Sequence, residues 1–470
     1  MLCSLLGQAP HAAGVRYVRR MMTTESTAPA RAPAEKSADL RRNFLLGVLN
    51  GAIFKVTMLL IDSNTVLSWF LIQLGVPNFL IGLVAPIRMG SSFLLQIFVS
   101  GHLQRRPYKL HFYRAMAVVR AATLLGTTLI IFWVPSESSW LVPLFFVMLT
   151  LYSMGAGLTG LAFMDMVAKT IPPTRRGGFF AQRSFWGGLI ALAAGPLVGF
   201  MLSDSSGLPF PSNIGWLFVG ACVTLVLAAG MWSMAREPPS VVIPEAVSVV
   251  EQTRRGGQIL RDNVPYRQYL LQQICSILAD SAGAFYIVYA ERALGITAQM
   301  VGVYLTAQTA ATIGSNLLWG RISDRMGNRR LLQITYSLGL CMPLVALGIG
   351  WLGERTPAAA PWLSWAYGLV FAVFGAYMAG AMIARTGYML DVIPPAQRSL
   401  YMGFGNTLLG VVRFAAMASG LIADWAGFAV LMGLSASFYG LSLLLSFVMI
   451  EPREAGKQPV HELAENKASA

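Results

Sequence analysis

Along most of this chain apolar residues do not alternate with polar ones but run on without interruption. From Arg41 onward, stretches long enough to cross a ~30 Å hydrocarbon layer as helices recur at 44–72, 77–100, 110–134, 140–166, 179–203, 214–235, 268–291, 298–319, 330–352, 361–386, 399–423 and 427–449. Such runs read as helices, which satisfy their own backbone in lipid. Barrel strands would be shorter and would alternate in polarity. The pattern predicts an all-α membrane protein of twelve transmembrane helices.

The polar separators repeat. Gly320-Arg321-Ile322-Ser323-Asp324-Arg325-Met326-Gly327-Asn328-Arg329-Arg330 lies between the eighth and ninth runs, and a worn copy, Gly101-His102-Leu103-Gln104-Arg105-Arg106, between the second and third. Asp62-Ser63 recurs as Asp280-Ser281, Leu74-Gly75 as Leu294-Gly295, and Ile171-Pro172-Pro173-x-x-Arg176 as Ile393-Pro394-Pro395-x-x-Arg398, all about 220 residues apart. One spacing for several landmarks indicates a duplicated half. The expected architecture is two pseudo-symmetric six-helix bundles, 41–235 and 268–450, joined by a cytoplasmic linker at 236–267. Residues 1–40 are expected to form a disordered tail, rich in Ala, Pro, Ser and Thr after an Arg-bearing, acid-free start that superficially resembles a transit peptide. Residues 451–470 are expected to form a second cytoplasmic tail.

Composition agrees: only 12% of residues are charged, against about 25% in soluble domains, and mean hydropathy is +0.59. The net charge of +14 is spread over short clusters between apolar runs, which argues against nucleic-acid binding. The clusters fall on one set of loops (Arg105, Arg106, Lys109; Lys169, Arg175, Arg176; Arg236 to Arg267; Arg321 to Arg330; Arg398), whereas the opposite set holds only Arg292 and Arg355. The first set is expected to be cytoplasmic, with both termini inside, in a bacterial inner membrane rather than an organelle. The four cysteines are scattered without metal-ligand spacing. No phosphate-binding loop or nucleophile–base arrangement is visible, so no enzyme activity, cofactor or metal is expected.

These features resemble the major facilitator superfamily, whose loop signature Gly-x-x-x-Asp-Arg-x-Gly-x-Arg-Arg is matched by Gly320, Asp324, Arg325, Gly327, Arg329 and Arg330. The resemblance covers about residues 41–450 and implies alternating access around a midplane cavity. It also suggests a latch at Gly320, Asp324, Arg325 and Gly327. In that latch Gly320 allows close helix approach, and Asp324 caps the fifth helix, beginning near Gly178–Arg183, and pairs with Arg183. In the first half Arg105 stands where the acid would be, so the latch is expected on one side only. Gly195-Pro196-Leu197-Val198-Gly199 resembles part of a proton-driven exporter signature, but Leu151 stands where those exporters carry an arginine.

Ionisable residues lie deep in the runs: Lys55, Asp62, Arg88, Arg120, Asp280 and Arg413. Each costs about 2.5–3.5 kcal/mol at a bilayer centre, so each should face a cavity or a partner. Lys55 and Asp62, two turns apart, share a helix face. By the resemblance, Asp62 and Asp280 would face each other across the central axis, either as proton carriers or permanently paired with Lys55, Arg88 or Arg413. Gln308 is the repeat counterpart of Arg88. Arg120, on a helix that the family uses as an outer support, is expected to snorkel. The excess of cations suits an anionic solute. The expected function is secondary transport of a small polar or anionic solute by a monomer, proton-coupled, with export favoured. The alternatives are organic-anion uptake by symport and a non-transporting receptor or assembly factor.

Overall fold

The computed structural model describes residues 33–104, 106–239, 249–356, 360–393 and 398–450, and among these all regular structure is helical. The expected C-terminal tail, most of the N-terminal tail and Arg105 lie outside the described residues. The first half contains α1 (Pro33–Leu60), α2 (Val66–Gln73), α3 (Asn78–Gln104), α4 (Leu110–Trp133), α5 (Leu141–Thr170), α6 (Pro173–Leu202) and α7 (Ser212–Ser233). A linker helix, α8 (Val249–Asp262), follows. The second half contains α9 (Val264–Asp280), α10 (Phe285–Leu294), α11 (Ala298–Met326), α12 (Asn328–Arg355), α13 (Ala360–Val392), α14 (Arg398–Ala415), α15 (Ala418–Trp425) and α16 (Gly427–Val448).

Among the described residues, ten helical segments of 22–31 residues are long and apolar enough to cross a membrane. Two further helices, α3 with 27 residues and α11 with 29, are comparably long. Three of the predicted continuous runs are broken: α1 from α2 at 61–65, α9 from α10 at 281–284, and α14 from α15 at 416–417. The first helix starts at Pro33, inside the expected tail.

Packing repeats as the sequence does. Helix α3 packs on α5 as α11 does on α13, and α4 packs on α5 and α7 as α12 does on α13 and α16. The halves meet along α6 with α11 and along α3 with α14 and α15. Two glycine contacts, again related by about 220 residues, carry these seams. A Cβ on Gly82 would lie 2.9 Å from the Gly420 nitrogen, and one on Gly199 would lie 3.1 Å from Cα of Gly302. Both contacts sit at the end of the bundle away from the basic loops. There Asp424 of α15 also caps α3 in the other half, accepting from the Asn78 amide (3.2 Å), the Asn78 side chain (2.8 Å) and the Phe79 amide (2.9 Å).

At the basic end, polar links run within a half. Lys109 meets Asp165 at 2.8 Å, Asp165 meets Lys169 at 3.1 Å, and Lys169 meets Glu237 at 2.6 Å. Glu237, at 2% exposure, also accepts from the Lys109 and Leu110 amides and so caps α4. In the second half, Asn328 at the start of α12 donates to Asp391 of α13 at 2.7 Å. Glu237→Gln keeps the shape and removes the charge. It is expected to cost about 1–2 kcal/mol, the scale of a lost cap, read as a lower unfolding midpoint by intrinsic tryptophan fluorescence.

Candidate functional site

The break between α1 and α2 is held by two of the predicted site residues. The Asp62 Oδ1 atom accepts from the Asn64 amide (3.0 Å), the Thr65 amide (3.0 Å) and the Thr65 hydroxyl (2.8 Å), closing the turn ahead of the short helix that follows. Arg88, arriving from α3, donates Nη1 to the Ile61 carbonyl and to the Ser63 hydroxyl (2.8 Å) and sets Nη2 against the Met58 sulfur (3.2 Å). Together they satisfy the backbone that the break frees. The second break lies against the first, since a Cβ on Gly283 would sit 3.3 Å from the Asn64 side-chain oxygen.

Beside this break is a cavity of about 430 Å³. Its wall comes mostly from the first half: Asn50 and Phe54 of α1, Arg88 and Met89 of α3, Tyr113 and Arg120 of α4, Tyr152 and Phe163 of α5, and Arg183 of α6. Arg413 of α14 closes it from the second half. Four arginines thus face one space, and among the described lining residues none is acidic. Arg120 is 7% exposed, donates Nη2 to the Tyr152 hydroxyl at 2.7 Å and lies over the Phe54 and Tyr152 rings at 4.8 and 4.6 Å. Its Nε is buried without a hydrogen-bond partner, as is Nη1 of Arg183. The expectation that Arg120 snorkels outward is corrected: the aromatic walls hold it inside. Arg413 has the Met89 sulfur at 3.1 Å, a weak acceptor.

The Arg183–Asp324 pair does not form. Arg183 lies over the Phe163 ring at 4.2 Å, and α6 begins at Pro173 rather than near Gly178, so its N-terminus is not where the latch needs it. Gly320 makes no close approach either, because a Cβ there would meet open space. The signature is largely helix, with α11 running to Met326. The turn is the single residue Gly327, whose φ of 85° suits glycine alone.

A smaller cavity of about 130 Å³ lies between the halves and holds Lys55, Asp62 and Gln308, with Ser184, Thr312 and Asn316 nearby. The Gln308 side-chain oxygen is buried without a partner. Gln308 therefore shares a cavity with Asp62.

The cation in direct contact with Asp280 is none of the three expected. The Asp280 carboxylate accepts from Tyr377 (2.7 Å) and Tyr439 (2.8 Å) and pairs with Arg385 of α13 at 3.3 Å. Arg385 further donates to the Tyr336 and Tyr377 hydroxyls (2.9 and 2.7 Å) and to Ser276. Sequence reading missed Arg385 because it falls at the end of the tenth run, where a basic residue looks like a flank. The signal available was its position within, rather than after, the apolar stretch.

A sequence profile of the Major Facilitator Superfamily matches residues 44–416 and 269–469. The chain belongs to that superfamily. An uncharacterized protein of Mycobacterium tuberculosis is 22% identical over 255 residues, covering 54% of this chain and 48% of the relative. A Mycobacterium bovis protein matches to the same extent, so this chain spans about half the length of the curated relatives it matches. Among solved structures, a D-xylose-proton symporter superposes with TM-score 0.65 at 17% identity, covering 88% of this chain and 98% of that one. The nucleoside transporter NupG gives 0.63 at 13%, covering 87% and 98%. The human organic anion transporter MFSD10 gives 0.56 at 14%, covering 88% and 100%. These likenesses establish the fold.

Proposed function

We propose that this protein is a secondary transporter that moves a small polar or anionic solute across a membrane by alternating access. The observation that carries the reading is the arginine-lined cavity, walled mostly by the first half, closed by Arg413 of the second and set beside broken helices. The basic end is cytoplasmic on the Lys and Arg bias. The glycine seams and the Asp424 cap hold the opposite end shut, which corresponds to an inward-facing state. Membership of a superfamily whose members include a proton symporter, a nucleoside transporter and an organic anion transporter supports solute movement.

Proton coupling is assigned to Asp280, whose tyrosine and arginine partners can hold either protonation state, with Asp62 as the second carboxylate. The test is purified protein in liposomes loaded with a pH-sensitive dye. Phthalate, benzoate or xylose is added outside under an imposed pH gradient. Saturable, probe-dependent proton movement is expected in protein vesicles only, and Asp280→Asn is expected to abolish it while leaving thermal stabilisation by the probe intact. An absence of saturable flux with every probe would remove the transport reading.

A further inference from the structure

We propose that the solute is an organic acid carrying at least two negative charges on an aromatic or apolar body, bound inside the first half by the free N–H edges of Arg120 and Arg183. This rests on the transport reading only in making the bound molecule the cargo; the binding itself stands on the cavity.

The cavity holds unmatched positive charge. Arg88, Arg120, Arg183 and Arg413 line one cavity, and none of them forms an ion pair among the described residues. Guanidinium groups at ordinary pH cannot shed their charge, and burying charge without compensation is costly. Arg88 is already engaged, by a carbonyl, a hydroxyl and a thioether, and Asp62 lies close by in sequence to that carbonyl and hydroxyl. The remaining three have a phenol, a ring and a thioether. Arg413 also has the Asp280 carboxylate within electrostatic reach, so the unanswered charges are those of Arg120 and Arg183: a single negative charge would leave one of them, and a dianion answers both.

The geometry of the free edges points the same way. Phe54 and Tyr152 flank the Arg120 guanidinium, and the Phe163 ring lies against that of Arg183. Rings lie 4.2–4.8 Å from these guanidinium carbons, and the orphan donors, Nε of Arg120 and Nη1 of Arg183, direct their N–H bonds in the guanidinium planes. An edge presenting in-plane N–H groups suits a carboxylate or phosphate. Arg120 is more than nine-tenths buried, so water from bulk solvent is a poor substitute. Much of the rest of the wall is apolar, including Met58, Ala117 and Leu225, while Asn50, Ser92, Ser153 and Thr159 add uncharged polar groups. A volume of about 430 Å³ suits a small organic molecule with its acidic groups on the arginines and its body against the rings. Arg413, coming from the other half, is the one cation of the set that moves relative to the rest when the halves rock. It is therefore placed to couple occupancy to closure.

The experiment is thermal unfolding of the full chain in detergent, in low-chloride buffer, titrated with four probes of similar size: phthalate, phenyl phosphate, benzoate and benzamide. Stabilisation follows ligand occupancy of the native state. Phthalate, phenyl phosphate or both are expected to raise the midpoint saturably, benzoate at least tenfold more weakly, and benzamide not at all. A response to one dianion alone distinguishes a dicarboxylic acid from a phosphate ester. Arg120→Gln and Arg183→Gln are each expected to weaken the apparent Kd at least tenfold. Arg183→Lys should weaken it nearly as much, because it keeps the charge and loses the planar edge. If Arg120→Gln does not purify, Arg183→Gln and Arg413→Gln carry the comparison. Equal stabilisation by benzamide, equal affinity for benzoate and phthalate, no response to either dianion, or unchanged Kd in the variants would each overturn the proposal. Flux of a neutral sugar without anion binding removes this proposal and leaves transport standing. Anion binding without flux does the reverse.

Discussion

Arg385→Met is expected to lower the free energy of unfolding by about 3–5 kcal/mol, the range for stripping one partner from a buried ion pair. The side chains of Arg385 and Asp280 are 18% and 23% exposed, which favours the lower end of that range. Methionine fills much of the arginine's volume, so the loss reports on charge and hydrogen bonds more than on a cavity. Without Arg385 the Asp280 carboxylate keeps the Tyr377 and Tyr439 hydroxyls but no cation, and Tyr336 and Ser276 each lose a donor. Asp280→Asn combined with Arg385→Met removes both charges and is expected to be less destabilised than Arg385→Met alone. That inequality is the signature of coupling rather than of simple packing. Chemical denaturation in detergent measures all three variants. A single variant within about 0.5 kcal/mol of the parent would show that the pair is not what joins α9 to α13.

Gly302→Val is expected to displace the conformational balance rather than unfold the chain. A Cβ at Gly302 would run into the Gly199 backbone and lie 2.6 Å from the Gly195 carbonyl oxygen. Overpacking costs about 1–3 kcal/mol, and here the cost falls only on the state in which the halves touch at this end. A penalty confined to one of two states shifts their ratio by roughly 5–150-fold. Spin labels on Ser139 and Thr356, in the connections at that end of the two halves, would report a longer separation and a broader distribution. Gly420→Ala, at the symmetry-related seam, would put a Cβ 2.6 Å from the Asn78 carbonyl oxygen and should act in the same direction. Unchanged distances in both variants would mean that the glycine seams do not set the closed state.

Much of the fold was legible in the runs themselves. The breaks were not read, although Asp62-Ser63-Asn64-Thr65 and Asp280-Ser281 place turn-forming residues at two of them. The break at 61–65 depends on Asp62 accepting from amides inside it and on Arg88, a residue of the third helix, taking the freed carbonyl. Asp62 and Arg88 were singled out, but for solute rather than for the backbone. The choice between those tasks is made by which atoms lie within hydrogen-bond reach. Arg183 was assigned to a gate and belongs to a cavity, because α6 starts earlier than pseudo-symmetry suggested and the residue therefore lies well inside the helix. Asp424 was not singled out, yet it caps a helix more than three hundred residues away in sequence.

By itself the sequence determined that this chain is helical, lies in a membrane, and was built by doubling one half. Lipid forces every spanning segment to declare itself as a long apolar run, and duplication leaves a spacing that can be read. Only the tertiary structure decided which buried charges share a space. That depends on helix rotation, on where each helix begins, and on the partner presented by a neighbour. Four arginines collected in one cavity, and Asp280 drawn instead to Arg385, follow from those geometric terms, which no order of residues along a line contains.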